Sequence, residues 1–148
     1  METVPYDKRS GKIWFNGELI NWTNAKVHVL SHGLHYASCV FEGERVYDGE
    51  IFKLEEHTDR LFYSAKRMGM AIPYSAKEIN TASKEIVTAQ KIKDGYVRPI
   101  IWRGSEMMAI SAQKNKIHVA IASWEWGSYF DPNLKLKGIK LNISSWRR

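Results

Sequence analysis

The residues of this sequence best suited to bind a small anion are arginines near aromatic residues or a helix start. Arg98 is two residues from Tyr96 in a predicted strand, so both side chains lie on one face, where a cation and a phenol could hold a carboxylate. Arg60 stands near the start of a predicted helix, where its guanidinium and nearby backbone donors could bind a phosphate group. Spacing alone favours simpler roles, namely a half-exposed strand face for Arg98 and a surface ion pair with Glu56 for Arg60.

An aromatic segment, SWEWGSYFD, follows a predicted buried strand. In it Trp126 and Tyr129 flank Gly127 and Ser128. Such a loop can wall an apolar pocket while the indole and phenol tips make polar contacts. It could equally be a plain surface turn or an oligomer contact. The aromatic and arginine residues that stand near predicted turns and strand ends are Tyr36, Phe41, Arg60, Tyr96, Arg98, Trp126 and Tyr129.

Three histidines, His28, His32 and His35, have the spacing of one helix face and could together ligate zinc. The segment KVHVL around the first of them alternates like a strand, however, and Gly33 interrupts the series. No carboxylate is close in sequence to orient the rings. We therefore expect ordinary hydrogen-bonding or packing histidines and no metal site.

Known short motifs are absent. The sequence has no G-x-G-x-x-G, no G-x-x-x-x-G-K-[ST], no G-x-S-x-G and no C-x-x-C. A dinucleotide fold, a P-loop, a hydrolase elbow and a thiol redox centre therefore lack their signatures.

Composition and charge restrict the classes of partner. The net charge of +6, with 6 Trp and 7 Tyr, raises the possibility of a nucleic-acid binder, but the basic residues are scattered, so no nucleic acid is expected. No apolar run approaches the roughly 20 residues that a membrane helix needs, and the N-terminal residues do not resemble a secretory signal. The single cysteine, Cys39, fits a small buried hydrophobe in a reducing compartment. A cytoplasmic protein without a membrane partner is the expectation.

Two β-hairpins are predicted before any long helix. Asn16-Gly17 and Asp48-Gly49 each separate two strand-like segments, and both pairs accept the positive φ angles of two-residue turns.

Two helices follow. From Glu55 the apolar residues recur at helical spacing until Gly69, and Ser75 with Glu78 matches a capping box that begins a second helix ending before Asp94.

The rest of the chain returns to strands. YVRPIIWRG, KIHVAIASW and GIKLNISSW are strand-like, and Pro99 in the first of them predicts an edge position or a bulge. Hairpins, two helices and more strands together predict an α+β fold, with a mainly antiparallel sheet and both principal helices on one face.

Four collinear segments carry a resemblance to a known family. They are IWFNGELINWTNAKVHVLSHGLHYASCVFEGERVYDG, EEHTDRLFYSAKRMGM, YVRPIIWRGSEMM and SWEWGSYF. They closely resemble the N-terminal half of branched-chain amino-acid aminotransferases, which are fold-type IV pyridoxal-phosphate enzymes. The likeness covers nearly the whole chain from Ile13 onward. It implies the small N-terminal α+β domain over residues 1–131, followed by an interdomain connection and the first strand of a second domain over residues 132–148.

The resemblance also assigns roles to individual residues. Arg60, in EEHTDRL, matches the arginine that binds the phosphate of the cofactor, pyridoxal 5'-phosphate. Tyr36 resembles a tyrosine lent to the site of the neighbouring subunit, and Ile110 resembles another contact made across the dimer. The residues that match those lining the pocket for the branched side chain and the substrate carboxylate are Phe41, Tyr96, Arg98, Trp126 and Tyr129.

The sequence departs from the family pattern in one respect. The family's Schiff-base lysine, which also shuttles the substrate proton, lies beyond Arg148, after the strand that here ends in SSWRR, and no lysine of this chain matches it. No catalytic residue is therefore assigned within the chain. The resemblance implies a homodimeric or larger cytoplasmic enzyme acting on amino acids and 2-oxo acids, of which these 148 residues alone would be inactive.

Other functions stay open at this point. A D-amino-acid aminotransferase or an aminodeoxychorismate lyase shares the fold, and a non-catalytic binding module could be built on the same half-fold. The segments HGLHYASCVFEGER and SWEWGSY favour the branched-chain group.

Overall fold

The computed structural model describes residues 4–127, 132–138 and 140–146. Within them, the strands are β1 (Lys12–Phe15), β2 (Glu18–Asn21), β3 (Cys39–Phe41), β4 (Glu44–Tyr47), β5 (Glu50–Ile51), β6 (Gly95–Arg103) and β7 (Ile117–Glu125). The α-helices are α1 (His32–Tyr36), α2 (Leu54–Arg67), α3 (Ala76–Ala89) and α4 (Pro132–Lys137). Short 3₁₀ turns occupy Tyr6–Lys8 and Trp22–Asn24.

The strands of the described residues form one antiparallel sheet in the order β2-β1-β7-β6-β4-β5, with β3 paired to β6 beside β4. Both predicted hairpins are confirmed. Asn16 and Gly17 turn with φ angles of 50° and 99°, and Asp48 and Gly49 with 49° and 84°. These left-handed values are what a tight hairpin turn requires.

The two long helices cover one face of the sheet, as the sequence predicts. Leu61 of α2 and Ile79 and Ile86 of α3 are completely buried against core residues of the strands, such as Val97 and Ile121. The capping box of α3 is present: Glu78 N donates to Ser75 Oγ at 3.3 Å, and Ser75 N donates to Glu78 Oε2 at 2.7 Å. The predicted α+β class with both principal helices on one face is therefore confirmed.

Pro99 does not lie at an edge of the sheet, so that prediction was wrong. It stands in β6, which pairs with β7 on one side and with β3 and β4 on the other. Glu42 N donates to Pro99 O at 3.0 Å, but proline has no N–H to return to Glu42. The neighbouring strand is interrupted at Glu42-Gly43, and both β3 and β4 keep the same register with β6, so no residue is bulged.

Two strand predictions were also wrong. The segment KVHVL lies in a loop and turn before α1, and the described part of GIKLNISSW is not a strand. In the latter, Leu141, Ile143 and Trp146 are 83%, 96% and 90% exposed. An alternating pattern forms a strand only where another strand offers its backbone groups, and no described strand pairs with these residues.

Candidate functional site

The sheet face opposite the two long helices carries Arg98 and Tyr96 side by side. Arg98 Nη2 donates to Tyr96 Oη at 3.2 Å. The Arg98 Cζ lies 4.2 Å from the centroid of the Phe41 ring and 5.2 Å from that of Tyr96. The guanidinium therefore contacts two aromatic rings, which orient it by cation–π attraction. The predicted pairing of a cation and a phenol on one strand face is present.

Aromatic residues extend this group toward the end of β7. The Tyr96 ring lies 4.7 Å from Trp126 and 5.3 Å from Trp124, measured between centroids. Arg45 Nη1 donates to Trp126 O at 3.0 Å and so ties the start of the aromatic segment to β4. Trp124 was missed in the sequence, although its pairing opposite Tyr96 follows from the β6–β7 register. Tyr129 lies outside the described residues.

Gly43 leaves the space that the Tyr96 hydroxyl occupies. A Cβ atom at Gly43 would lie 1.8 Å from Tyr96 Oη, far inside van der Waals contact. Any larger residue at this position would displace the tyrosine that Arg98 contacts. Gly43 is therefore part of the site, and only the three-dimensional pairing of β4 and β6 reveals it.

Two donors of this group point into buried space. Arg98 Nε and Trp124 Nε1 are buried and have no hydrogen-bond partner among the described residues. Buried donors are normally satisfied, so these two N–H groups favour a site that receives an acceptor such as a carboxylate. An apolar cavity of about 270 Å³ adjoins Arg98 and is lined by Arg98, Ile100 and Trp102 among others.

Arg60 belongs to the helix-covered face and is held there by Glu42. Arg60 Nε donates to Glu42 Oε1 and Nη2 to Oε2, both at 2.6 Å, and His57 Nδ1 lies 2.8 Å from Glu42 Oε2. The Glu42 side chain is 6% exposed and that of Arg60 is 64% exposed. The surface ion pair with Glu56 is absent, because Glu56 binds Lys53 at 2.6 Å instead.

The charge of Glu42 is fixed by these neighbours. Burial would raise its pKa, but hydrogen bonds from Arg60 and His57, together with their charges, outweigh burial and hold the pKa below its ordinary value. The carboxylate is therefore ionised at neutral pH. It orients one edge of the Arg60 guanidinium and leaves Nη1 without a partner among the described residues.

Two consecutive residues connect the groups around the two arginines. The side chain of Phe41, the last residue of β3, lies against Arg98, and the side chain of Glu42 binds Arg60 on the opposite side of the sheet. This alternation is the ordinary geometry of extended backbone. The end of β3 therefore fixes both guanidinium groups relative to one another.

A second carboxylate near this point has no partner. Glu44 is completely buried, and neither carboxylate oxygen has a hydrogen-bond partner among the described residues. Burial, with a smaller contribution from the nearby charge of Glu42, raises the pKa of Glu44 to about 8. Glu44 is therefore largely protonated at neutral pH and leaves Glu42 as the charged carboxylate of the pair.

Tyr36 and Ile110 stand apart from the arginines, at the surface. Tyr36 is 45% exposed and Ile110 is 92% exposed. Within the described residues, Tyr36 has a ring contact with His32 and none with the group around Arg98. The structure thus shows that both side chains are accessible, as a role toward a neighbouring molecule requires.

Each of the three histidines that could have suggested zinc has a local hydrogen bond. Leu30 N donates to His28 Nδ1 at 3.1 Å, His35 Nε2 donates to Val29 O at 2.9 Å, and His32 uses both ring nitrogens. In the described part of the chain, no three His, Cys, Asp or Glu residues are grouped as metal ligands. Nor does this part contain a helix long and apolar enough to span a membrane.

The fold and the site define a class of protein. Residues 39–148 match the family model described as amino-transferase class IV. Because this match covers more than half of the chain, the chain belongs to the class IV aminotransferase family. The family predicted from the sequence is thereby confirmed.

Its relatives are branched-chain aminotransferases. The branched-chain-amino-acid aminotransferase of Pseudomonas aeruginosa is 47% identical over 144 residues, which are 95% of this chain and 47% of the relative. A solved branched-chain aminotransferase of Thermoproteus uzoniensis, with norvaline, superposes with a TM-score of 0.84 at 37% identity over 95% of this chain and 48% of its own. The branched-chain aminotransferase of Escherichia coli gives a TM-score of 0.83 at 35% identity over 95% of this chain and 46% of its own.

The chain spans about half the length of the relatives that it matches, and it corresponds to their N-terminal part. Arg148, beyond which the resemblance puts the Schiff-base lysine, lies outside the described residues. The position of that lysine thus stays a prediction, as does the division into domains at residue 131.

Proposed function

We propose that this chain is part of a pyridoxal-phosphate-dependent branched-chain amino-acid aminotransferase. The reaction transfers the amino group between leucine, isoleucine or valine and 2-oxoglutarate. The observation that carries the proposal is the Arg98 guanidinium, oriented by Phe41 and Tyr96 and adjoined by an apolar cavity. Such a site can take either an apolar side chain or a second carboxylate, which are the two substrate types of this reaction.

Arg60 would bind the phosphate of the cofactor. Its side chain is mostly exposed, Glu42 occupies Nε and Nη2, and Nη1 is available for an oxyanion, so the residues present fit this group. When bound, pyridoxal phosphate supplies an electron sink for bond changes at the substrate α-carbon.

The substrate wall would consist of residues from β3, β6 and the segment after β7. Phe41, Tyr96 and Trp126 provide the apolar surface, Arg98 receives the second carboxylate of glutamate or 2-oxoglutarate, and Tyr129 completes the wall. Gly43 keeps the Tyr96 hydroxyl within reach of Arg98.

Assembly and domain organisation complete the proposal. Residues 1–131 form the small domain, and residues 132–148 lead into a second one. The enzyme is a cytoplasmic homodimer or larger homo-oligomer, in which Tyr36 and Ile110 reach the neighbouring subunit. Because no lysine up to Arg148 matches the family's Schiff-base lysine, a polypeptide of these 148 residues alone is expected to be inactive.

The test is a comparison of two half-reactions in the longest form of the polypeptide that the cell makes. Replacing Arg98 with Ala should slow the half-reaction with glutamate more than that with leucine, because only glutamate presents a second carboxylate. Equal losses would reject this role of Arg98. Turnover of D-alanine in preference to L-leucine would instead indicate a D-amino-acid aminotransferase.

A further inference from the structure

His32 is a buried histidine whose two ring nitrogens are both used. The residue is 3% exposed, Nδ1 lies 2.6 Å from Ser38 Oγ, and Nε2 lies 3.0 Å from Ala109 O. A carbonyl oxygen can only accept, so Nε2–H donates to Ala109 O, while the Ser38 hydroxyl, which can donate or accept, pairs with Nδ1. The two contacts together fix the orientation of the imidazole.

This ring joins two segments that are remote in sequence. Tyr36 lies one helical turn after His32 in α1, and the two rings stack with centroids 4.4 Å apart and an interplanar angle of 25°. On its other side the ring donates to Ala109, the residue directly before Ile110. His32 thus contacts the exposed Tyr36 directly and holds the exposed Ile110 through the backbone of Ala109.

The remainder of the loop between β6 and β7 is anchored at its two ends. Asn115 Nδ2 donates to Gly104 O at 2.9 Å and to Met107 O at 3.1 Å, and Arg103 Nη1 donates to Ala112 O at 2.8 Å. The hydrogen bond from His32 reaches the loop between these anchors, next to its most exposed apolar residue. It therefore determines where Ile110 stands relative to α1.

We infer that His32 is a positioning residue that presents Tyr36 and Ile110 as one rigid unit to the ligand site of a second copy of this chain. The inference rests on the proposed function, since it concerns the side chains that one subunit lends to another. It adds a residue that makes no contact with ligand itself. Ile110 is a large apolar side chain that is 92% exposed, and Tyr36 is half-exposed. Exposed side chains that are held in place through one buried residue are suited to contact a second copy of the chain.

Two substitutions separate the two contacts of the ring. His32→Phe keeps an aromatic surface for Tyr36 but removes the donor to Ala109, whereas His32→Gln keeps a donor and removes the ring. In His32→Phe, the backbone amide resonances of residues 107–112 should shift and their NMR order parameters should fall, while the Tyr36 ring resonances stay nearly in place. In His32→Gln the Tyr36 ring resonances should move and the order parameters of residues 107–112 should stay at the wild-type level. Unchanged order parameters and ring resonances in both variants would overturn the inference.

Mixed dimers test whether the unit serves the neighbouring site. Differently tagged His32→Phe and Arg98→Met chains, in the longest polypeptide that the cell makes, are mixed and the mixed form is isolated. One of its two sites then has an intact Arg98 and receives Tyr36 and Ile110 from the chain with an intact His32. The mixed dimer should recover about half of the wild-type activity, although each parent is impaired.

The possible failures are distinct. Mixed dimers no more active than their parents would show that His32 acts on its own subunit and would overturn the inference. A wild-type protein without aminotransferase activity would instead contradict the proposed function, and with it the contribution of Tyr36 and Ile110 to a neighbouring site, even if the NMR experiment shows that His32 holds the loop.

Discussion

Glu42 and Arg60 are joined by two parallel hydrogen bonds of 2.6 Å, between a carboxylate that is 6% exposed and a guanidinium side chain that is 64% exposed. The fold holds the buried Glu42 carboxylate in place, and this carboxylate in turn orients the exposed Arg60 guanidinium. Bidentate pairs of this kind hold a guanidinium plane more strictly than a single contact does.

Replacing Glu42 with Gln should therefore release the Arg60 guanidinium. A glutamine cannot accept from both Nε and Nη2, so the Arg60 Nε–H should exchange with solvent faster than in the wild type, as measured by NMR. Glu56→Gln is the matched control, because Glu56 is on the same helix and pairs with Lys53. Equal exchange in the wild type and Glu42→Gln would contradict the role of Glu42.

The buried Glu44 should make stability depend on pH. Its pKa in the folded chain, about 8, is above the ordinary value of 4.5, so its favourable contribution is complete below pH 4.5 and is lost as the pH rises through about 8. Relative to Glu44→Gln, the wild-type free energy of unfolding should fall between pH 5 and pH 9, by an upper bound of roughly 5 kcal/mol. Denaturant unfolding of both proteins across this range checks the prediction. Parallel curves would contradict it.

Gly43→Ala should disturb the substrate wall without straining the backbone. The new methyl group would overlap the Tyr96 hydroxyl and force the ring away from Arg98, at a cost of about 1–3 kcal/mol. The near-ultraviolet circular dichroism of the tryptophans around Tyr96 should change with it. Gly127→Ala is the control, since a Cβ there meets nothing within 4 Å. Similar spectra and stabilities for the two variants would contradict the packing described for Tyr96.

Ser75→Ala should destabilise α3. It removes the acceptor for the Glu78 amide and one half of the capping box, which costs about 1 kcal/mol. Thr81→Ala in the same helix is the control, because the Thr81 hydroxyl donates only to the Lys77 carbonyl of its own helix. Urea unfolding should shift its midpoint for the first variant and leave it nearly unchanged for the second.

The sequence predicted the elements that local signals determine. Asn-Gly and Asp-Gly turns, the Ser75 capping box and the pairing of Tyr96 with Arg98 each depend on residues a few positions apart. The partner of Arg60 did not follow, because Glu42 is 18 residues away and reaches the helix only once β3 is packed under α2. Pro99 was misplaced for a similar reason: the gap that accommodates it belongs to the neighbouring strand.

Long-range contacts also explain two other features that the sequence did not predict. The role of His32 depends on Ser38 and on Ala109, and the latter is 77 residues away. The predicted strand in GIKLNISSW has the right residues for a strand but no described partner. In both cases the local pattern carried no information about a partner that is remote in sequence.

The missing N–H of Pro99 makes the interruption beside Glu42 a covalent property of the chain. A ladder interrupted by side-chain packing could close when the packing changes, but a proline nitrogen cannot donate in any conformation. The carbonyl of Glu42 therefore has no ladder donor opposite it, whatever the rest of the sheet does. The backbone ladder between the strands that hold the two arginines therefore stays interrupted at Glu42, whichever way the neighbouring helices or loops move.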